Sequence, residues 1–374
     1  MKEKILIFGA GALSLGFLGP LLSEDYDLIF CDVAIKKDLI RFLRKEHQYS
    51  INVCSDKIVP TAVCGVTAFN LSDKAEKEEV KKILQGVKIV FTAVGTKGID
   101  ETMSFIRENG GKGRSRKLYV FSAENDKGAV KRWTGETGEN VQLCDTIMGR
   151  MCRIDYAGEK YRSIFPDFDE AVIAEDFYGL PVLSAIHSEA DLQGAEWQAM
   201  PEREFEAKSR LKLFGHNGAH AYLSYFGFLQ GLKYFYESDS GLLTEAESFL
   251  DREIIPSLLK SYGDVFGGDE LEVYCKKLIS RITSRTFADT IERGTRDSLK
   301  KITSGERLAE GAAFVLKNGI APEYFCRIIS AGIMINVRGG LLFGSPDKII
   351  SEDCKIKDKE LAVLIKKAMQ SMTS

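Results

Sequence analysis

The first half of the chain alternates short apolar runs with longer amphipathic or charged stretches. The runs are rich in β-branched and aromatic residues and too short for helices, which predicts strands. Predicted strands are Lys4–Phe8, Asp27–Asp32, Lys88–Val94 and Lys117–Ser122, with a β-rich insertion at Ile51–Phe69 and extended runs near Asn140–Met148 and Glu170–Phe177. Predicted helices between them are Ile35–Arg44, Asp73–Leu84 and Ile99–Glu108. This alternation is typical of a parallel, doubly wound α/β sheet.

From about Glu204 onward, helical periodicity dominates instead. The predicted helices are Lys212–Leu232, Thr244–Tyr262, Asp269–Thr283, Gly305–Asn318, Glu323–Val337 and Glu360–Met372. A chain of 374 residues exceeds the size at which one core usually stops growing. We therefore expect an α/β domain over residues 1–195 and a mostly α-helical C-terminal domain over residues 196–374, with the boundary in a polar stretch.

A glycine-rich turn follows the first predicted strand. Gly9-Ala10-Gly11-Ala12-Leu13-Ser14 has the pattern G-x-G-x-x-S. Gly9 would make the tight turn, and Gly11 would let a diphosphate approach the amides at a helix N-terminus, where the dipole favours anions. Ser14 is small enough for close packing of that helix on the sheet. The pattern predicts a Rossmann-type dinucleotide-binding domain.

The context of this turn strengthens the prediction and points to the cofactor. Asp32 stands about 20 residues after Gly11, at the end of the second predicted strand. A carboxylate there binds the ribose hydroxyls and repels a 2′-phosphate, so NAD is favoured over NADP. The alternative is a glycine-rich turn with a capping aspartate and no cofactor. Further predicted cofactor-binding residues are Gly16 in the turn and the small-residue run Ala93, Val94 and Gly95 after the fourth strand.

Charge and cysteine usage restrict the partners and the compartment. The net charge is −3, which gives no overall attraction to nucleic acid or to an anionic membrane. No apolar stretch approaches 18 residues and no signal-peptide pattern opens the chain. The 8 cysteines form no C-x-x-C pair, so a thioredoxin-like motif or a zinc knuckle is not expected. We expect a cytoplasmic protein whose partners are small molecules; its oligomeric state is not predicted.

The start of the helical half carries the candidate chemistry, in the pattern K-x4-N-x2-H. On an ideal helix, Lys212, Asn217 and His220 share one arc. Oxidation of a secondary alcohol by hydride transfer needs a base for the hydroxyl proton and a donor for the developing alkoxide. A lysine with a lowered pKa can be that base without a metal, Asn217 can donate to the oxygen, and His220 can orient the substrate or the lysine. The alternative is an ordinary polar helix face.

Two other features of this half suggest ligands. His216 and His220 have the i, i+4 spacing of some zinc sites, yet no nearby Cys or Glu completes a set, so no metal is predicted. A locally basic segment suits a phosphate group and comprises Arg293, Arg296, Lys300 and Lys301. At most two or three of these cations can face one ligand. Its alternative is a solvated helix face whose cations pair with neighbouring acids.

The segment KLFGHNGAHAYLSYFG resembles the K-L-x-x-x-N-x-x-H-x-x-x-x-Y-x-G signature of the polyol-specific long-chain dehydrogenases of the mannitol dehydrogenase superfamily. FGAGALSLGF, FTAVG, SAEN and ERGTRDSLKKITSGERL extend the resemblance, which is greatest to the mannitol-1-phosphate 5-dehydrogenase subgroup. It implies an NAD-dependent oxidoreductase that transfers a hydride between NAD(H) and a polyol or ketose sugar phosphate, with Lys212 as a metal-independent base. It also implies that Asn125 is a second donor to the reacting oxygen, and it favours a phosphate site in the basic segment.

The sequence departs from the family pattern where the substrate pocket is expected. Met148-Gly149-Arg150-Met151 lacks the family's aspartate, residues 174–180 lack its tryptophan, and Ser284-Arg285-Thr286 replaces its N-P pair. The reaction class is therefore better supported than the substrate. Two alternatives stay open: a dehydrogenase of an unphosphorylated polyol or a hexuronate, and an NAD-binding sensor without turnover.

Overall fold

The structure, a computed structural model, describes residues 2–95, 97–111, 113–124, 132–138, 140–177, 179–194 and 196–373. It divides into two compact units, Met1–Phe205 and Glu206–Ser374. The sequence-based boundary, after residue 195, lies before this division. The interval between the two contains a strand, Trp197–Met200, that pairs in parallel with Leu180–Leu183 of the first unit. Long-range pairing of this kind leaves no local signal in a polar stretch.

The first unit contains two larger sheets and a small one. Its strands in chain order are β1 (Glu3–Phe8), β2 (Tyr26–Asp32), β3 (Gln48–Cys54), β4 (Ile58–Cys64), β5 (Val66–Asn70), β6 (Ile89–Thr92), β7 (Leu118–Ser122), β8 (Val141–Asp145), β9 (Cys152–Tyr156), β10 (Glu170–Glu175), β11 (Leu180–Leu183) and β12 (Trp197–Met200). The main sheet has six parallel strands in the order β5-β2-β1-β6-β7-β8. This is the strand order of a Rossmann fold, so the predicted doubly wound sheet is confirmed.

Both faces of the main sheet are buried, which explains its continuous apolar strands. Along β1, Ile5 and Ile7 belong to one hydrophobic cluster, whereas Leu6 and Phe8 belong to another on the opposite face. This alternation follows from the two-residue period of a strand. The helices of this unit are α1 (Gly19–Leu22), α2 (Lys37–Glu46), α3 (Lys74–Gly86), α4 (Ile99–Gly110) and α5 (Ser184–Ala190).

A second sheet, in the order β4-β3-β10-β9, contains only the first part of the predicted β-rich insertion Ile51–Phe69. Its last part is β5, which pairs with β2 in the main sheet. The second sheet packs against the helical segment that follows the glycine-rich turn. A Cβ at Gly16 would lie 3.0 Å from the Cys152 sulfur and 3.2 Å from a methyl carbon of Val172. The Tyr49 hydroxyl donates a 2.7 Å hydrogen bond to the Leu15 carbonyl. This sheet thereby supports the turn from behind.

The second unit is mostly helical, as predicted. After α6 (Glu202–Arg210), which spans the division, its helices are α7 (Asn217–Leu229), α8 (Ser240–Phe249), α9 (Ile255–Tyr262), α10 (Gly268–Ile282), α11 (Ile291–Thr295), α12 (Ser298–Ile302), α13 (Arg307–Lys317), α14 (Glu323–Arg338), α15 (Pro346–Lys348) and α16 (Lys359–Thr373). Helix α7 packs against α8, α11 and α14. None of the helices that the structure describes is long and apolar enough to cross a membrane.

Short segments of other helical types interrupt these helices. The π-helical segments are Ser14–Leu18, Leu211–His216, Leu250–Ile254 and Ile349–Asp353, and the 3₁₀ segments are Ala34–Lys36 and Phe235–Glu237. Two of the π segments belong to the helices that carry the predicted cofactor and catalytic residues. Such π segments are frequent at functional sites.

Candidate active site

The glycine-rich turn has the geometry that close approach of a dinucleotide requires. Gly9 has a φ of +98°, and a Cβ there would lie 2.3 Å from the Ala93 carbonyl oxygen. Only glycine fits this position without strain. At Gly11, by contrast, an added Cβ would meet no atom of the described residues within 4 Å. The backbone at Gly11 therefore faces open space at the start of a helix, as a diphosphate site requires.

Asp32 lies at the carboxyl end of β2, where the sequence predicts the ribose-binding carboxylate. One of its oxygens accepts a hydrogen bond from the Ala10 amide and the other accepts one from the Val33 amide, both at 2.7 Å. These bonds fix the carboxylate beside the glycine-rich turn, and each oxygen keeps capacity for a further donor. Val33 and Ile35, just beyond it, are 45% and 87% exposed. Such exposed apolar side chains suit the face of an adenine ring.

Glu124 is a feature that the sequence prediction missed. Its carboxylate accepts hydrogen bonds from the Val94 amide at 2.8 Å and from the Gly95 amide at 2.9 Å. It therefore contacts the small-residue run predicted to lie along the cofactor. The signal was its place directly after β7, at the same edge of the sheet as Asp32. Its neighbour Asn125, predicted as a donor to the reacting oxygen, lies outside the described residues.

Ser14 and Gly16 lie in the π segment that follows the turn, and both are buried. The Ser14 hydroxyl has no hydrogen-bond partner among the described residues. Gly16 allows the close packing on the second sheet described above. Their assignment to the cofactor site stays a prediction, as does that of Ala93, Val94 and Gly95.

The catalytic pattern does not lie on the ideal helix that the sequence analysis assumed. Leu211–His216 is π-helical, and the Asn217 amide donates to the Lys212 carbonyl five residues earlier. Because a π turn joins residues five apart, Lys212 and Asn217 lie one turn apart rather than at the wide angle of an α-helix. His220 follows one α-helical turn after Asn217. The π segment thus brings the three side chains closer to one line than predicted.

These three side chains are half-buried on a helix whose other residues are mostly buried. Close packing at glycines holds that helix in place. A Cβ at Gly218 would lie 2.7 Å from the Phe249 ring, and one at Gly215 would lie 3.4 Å from a methyl carbon of Ile254. In the part of the chain that the structure describes, the side-chain amide of Asn217 makes no hydrogen bond, so its NH₂ group can donate to a ligand.

A buried carboxylate joins the helix to the predicted basic segment. The Asp289 side chain is fully buried, and its Oδ2 lies 3.3 Å from Nε2 of His220. Arg293 pairs with the same carboxylate through Nε at 2.6 Å and through a second guanidinium nitrogen. Burial alone would raise the pKa of Asp289, but Arg293 and His220 hold it well below its usual range. Asp289 is therefore a carboxylate with two partners.

The four predicted phosphate ligands separate into two pairs. Helices α11 and α12 are separated by Arg296 and Asp297, where Asp297 has a φ of +54°. Arg296 and Lys300 are exposed, and Lys300 lies 3.7 Å from Glu306. Arg293 and Lys301 are half-buried, and the Lys301 ammonium donates to the Gly294 carbonyl at 2.8 Å. The phosphate role of all four stays a prediction. Arg293 and Lys301 are the better candidates of the four, because they are half-buried.

The charge of Lys301 depends on its burial and on the charged groups around it, which include Arg293. Burial, together with Arg307 and Arg293, lowers the pKa of Lys301 to about 8, against the opposing effect of Asp297. Burial also lowers the pKa of His216 well below its usual range, reinforced by Arg281 and Lys212. The surroundings are cationic, which favours an anionic or strongly polar ligand.

The zinc alternative for His216 and His220 has little support from the geometry. His216 is buried, and Nε2 of His220 faces Asp289. Among the described residues, no group of three or more His, Cys, Asp or Glu side chains is placed to hold a metal ion.

The chain matches two family models, one in each half of the sequence. Residues 3–128 match the family described as "Mannitol dehydrogenase Rossmann domain", and residues 205–372 match "Mannitol dehydrogenase C-terminal domain". Mannitol-1-phosphate 5-dehydrogenase of Thermoanaerobacter pseudethanolicus is 26% identical over 350 residues, which cover 90% of this chain and 86% of that one. The enzyme of the same name from an Arthrobacter species is 28% identical over 355 residues, covering 89% and 86%.

A solved structure extends the likeness to the whole fold. Mannitol 2-dehydrogenase of Pseudomonas fluorescens, in a ternary complex with NAD and D-mannitol, superposes with a TM-score of 0.80 at 14% identity and covers 100% of this chain and 92% of that one. At that identity the likeness shows a shared fold. Because the two family matches together cover most of both units, this chain belongs to the mannitol dehydrogenase family, as an oxidoreductase with a Rossmann dinucleotide-binding domain.

Proposed function

We propose that this protein is an NAD-dependent dehydrogenase that oxidises a secondary hydroxyl of a polyol phosphate and reduces the corresponding ketose phosphate. The observation that carries the proposal is the half-buried set of Lys212, Asn217 and His220. His220 contacts the buried carboxylate of Asp289, which also pairs with the half-buried Arg293. The first unit supplies the cofactor site, and the second unit supplies the groups that handle the proton and the substrate.

The residues of the first unit fit NAD. Gly9, whose amide donates to the Cys31 carbonyl, would make the turn, and the exposed backbone at Gly11 would let the diphosphate reach the helix N-terminus. Asp32 would accept hydrogen bonds from the adenosine ribose. The carboxylate of Asp32 disfavours a 2′-phosphate, which supports NAD over NADP. When bound, NAD⁺ supplies the acceptor for the hydride that leaves the substrate carbon.

The second unit provides the proton chemistry. Lys212 in its neutral form takes the proton from the substrate hydroxyl, and as an ammonium it returns that proton when the ketone is reduced. Asn217 donates an N–H to the same oxygen while negative charge develops on it. His220 orients a neighbouring hydroxyl. No metal is required for any of these roles.

The substrate class rests on Arg293 and Lys301. Both are half-buried cations close to the catalytic helix, whereas the whole protein has a net charge of −3 and cannot attract a phosphate by itself. The curated relatives that act on mannitol 1-phosphate support the same choice. One observation favours an unphosphorylated polyol or a hexuronate instead: the charge of Arg293 is already balanced by Asp289.

The test is a matched substrate panel with purified protein and NAD. We expect kcat/KM for mannitol 1-phosphate to exceed that for mannitol by at least about tenfold, and fructose 6-phosphate to exceed fructose likewise, as a charge-assisted contact predicts. Lys301→Met should reduce this preference, and Lys300→Met, at an exposed neighbour, should not. Equal activity on both members of each pair, or a preference for hexuronates, would replace the phosphate assignment.

The same experiment distinguishes an enzyme from a divergent NAD-binding sensor without turnover. Tight NADH binding, measured by fluorescence titration, without turnover of any polyol, polyol phosphate or hexuronate would identify an NAD-binding protein that lacks the reaction.

A further inference from the structure

Asp289 connects two groups that come from different parts of the chain. It precedes α11, whereas His220 belongs to α7, and its carboxylate contacts His220 and Arg293 at the same time. The Asp289 side chain has no exposed surface, while those of His220 and Arg293 are 19% and 29% exposed. Asp289 therefore lies behind the two residues that a ligand could reach.

The chemistry of this contact determines which nitrogen of His220 carries a proton. A carboxylate can only accept hydrogen bonds, so a hydrogen bond between Asp289 and Nε2 requires the proton on Nε2. In a neutral imidazole the other nitrogen, Nδ1, then has a free lone pair and acts as an acceptor. Packing restricts the ring as well, because its centroid lies 4.6 Å from that of Phe235.

The neutral form is the one that the surroundings favour. The charged groups near His220 are Asp289, Arg293 and Lys301, and the neighbouring His216 lies close to Lys212 and Arg281. Burial lowers the pKa of His220, and Arg293 and Lys301 lower it further, while Asp289 opposes them. Near neutral pH we therefore expect an uncharged imidazole held by one carboxylate.

We propose that Asp289 is a positioning residue that holds His220 as the neutral Nε2–H tautomer, so that Nδ1 accepts a hydrogen bond from a substrate hydroxyl, and that fixes the Arg293 guanidinium beside it. The catalytic meaning of this arrangement rests on the proposed function, whereas the tautomer itself does not. The carboxylate of Asp289 thus positions two groups for the substrate: Nδ1 of His220, which accepts a hydrogen bond from a hydroxyl, and the guanidinium of Arg293.

The first test is ¹⁵N NMR of the imidazole nitrogens in the full-length protein. The chain has only 4 histidines, and His220→Gln assigns the signal in question. We expect His220 to show an Nε2–H tautomer at neutral pH. A predominant Nδ1–H tautomer, or an imidazolium at pH 7, would overturn the proposal without any need for activity or for a second variant.

The second test is Asp289→Asn, which keeps the size of the side chain and lets its amide donate to Nε2. We expect the His220 tautomer to change to Nδ1–H, and kcat to fall about 10–100-fold, as for other residues that orient a functional histidine. The affinity for NADH, which depends on the first unit, should stay unchanged. Glu292→Gln, at an exposed carboxylate on α11, is the matched control and should change neither readout.

The two tests separate this proposal from the proposed function. A wild-type Nε2–H tautomer that changes in Asp289→Asn together with kcat supports it. Unchanged kcat in a folded Asp289→Asn variant overturns it. If no polyol is turned over, the proposed function fails, and the wild-type tautomer still decides the assignment of His220. If Asp289→Asn does not fold, the wild-type spectrum decides in the same way.

Discussion

The glycine-rich turn of the first unit and the helix of the second unit that carries Lys212, Asn217 and His220 would form their proposed sites by different means. In the turn, backbone geometry does the work: Gly9 adopts a φ of +98° and Gly11 exposes its main chain. In the helix, the proposed site consists of side chains, and one of them, His220, contacts Asp289, which is distant in sequence. A site formed by backbone geometry can therefore be recognised from a few consecutive residues. A site formed by side chains also needs partners from distant segments, which only folding brings together.

The largest expected effect is on the side-chain site. Lys212→Ala should lower kcat by about 10²–10⁴-fold, because the reaction loses its positioned base. NADH affinity should be unchanged, since the cofactor residues lie in the first unit. Lys317→Ala, at an exposed lysine of α13, is the control. Retention of most activity in Lys212→Ala, measured in steady-state assays, would show that another group takes the proton.

The turn is tested by a pair of alanine substitutions that the structure predicts to behave differently. Gly9→Ala should destabilise the protein by about 1–3 kcal/mol, because a side chain there is strained and meets the Ala93 carbonyl. Gly11→Ala should leave the melting temperature unchanged, since its Cβ has room, yet weaken NADH binding about tenfold by occupying the space for the diphosphate. Equal losses of stability in thermal unfolding would contradict this contrast.

The pH dependence of substrate binding tests whether Lys301 acts as a cation. Its pKa is about 8, lowered by burial and by Arg307 and Arg293 and partly restored by Asp297. The Lys301 side chain carries a positive charge below that pH and loses it as the pH rises through the pKa. KM for a phosphorylated substrate should therefore rise above pH 8, by about tenfold when the charge is fully lost. KM for the free polyol should not follow.

Lys301→Met provides the matching control for this pH dependence. It should have a high KM for the phosphorylated substrate throughout and remove the increase above pH 8. A wild-type profile that is flat from pH 7 to pH 9.5 would exclude Lys301 from phosphate binding.

A smaller effect, on the preference between the two cofactors, is expected from substitution of Asp32, whose carboxylate lies beside the glycine-rich turn. Asp32→Ala should narrow the preference for NADH over NADPH several-fold, because the half-buried carboxylate repels a 2′-phosphate by about 1 kcal/mol. The protein should still fold. Fluorescence titrations with both cofactors measure the ratio, and Asp38→Ala, an exposed aspartate on α2, should leave it unchanged. An unaltered ratio in Asp32→Ala would remove this residue from cofactor selection.

No effect is expected from metal removal. Turnover should survive exhaustive treatment with a chelator, because a lysine base needs no metal. Loss of activity that zinc restores would make His216 and His220 ligands and displace Lys212 from its role.

The sequence by itself determined the fold and predicted where both proposed sites lie. The alternation of apolar runs predicted the doubly wound sheet, and the observed helices Lys37–Glu46 and Ile99–Gly110 agree closely with the predicted Ile35–Arg44 and Ile99–Glu108. Local signals suffice there, because the strand and helix periods and the glycine turn are properties of neighbouring residues. The proposed catalytic side chains were likewise predicted from a pattern nine residues long, Lys212–His220.

Only the tertiary structure decided how those side chains are arranged. The π segment at Leu211–His216 changes the angle between Lys212 and Asn217, and the helical periodicity of the sequence does not signal it. Nothing near residue 220 indicates that His220 faces Asp289, or that Arg293 and Lys301 are half-buried while Arg296 and Lys300 are exposed. Burial and ion pairing depend on which distant segments meet, and those contacts form only in the folded unit.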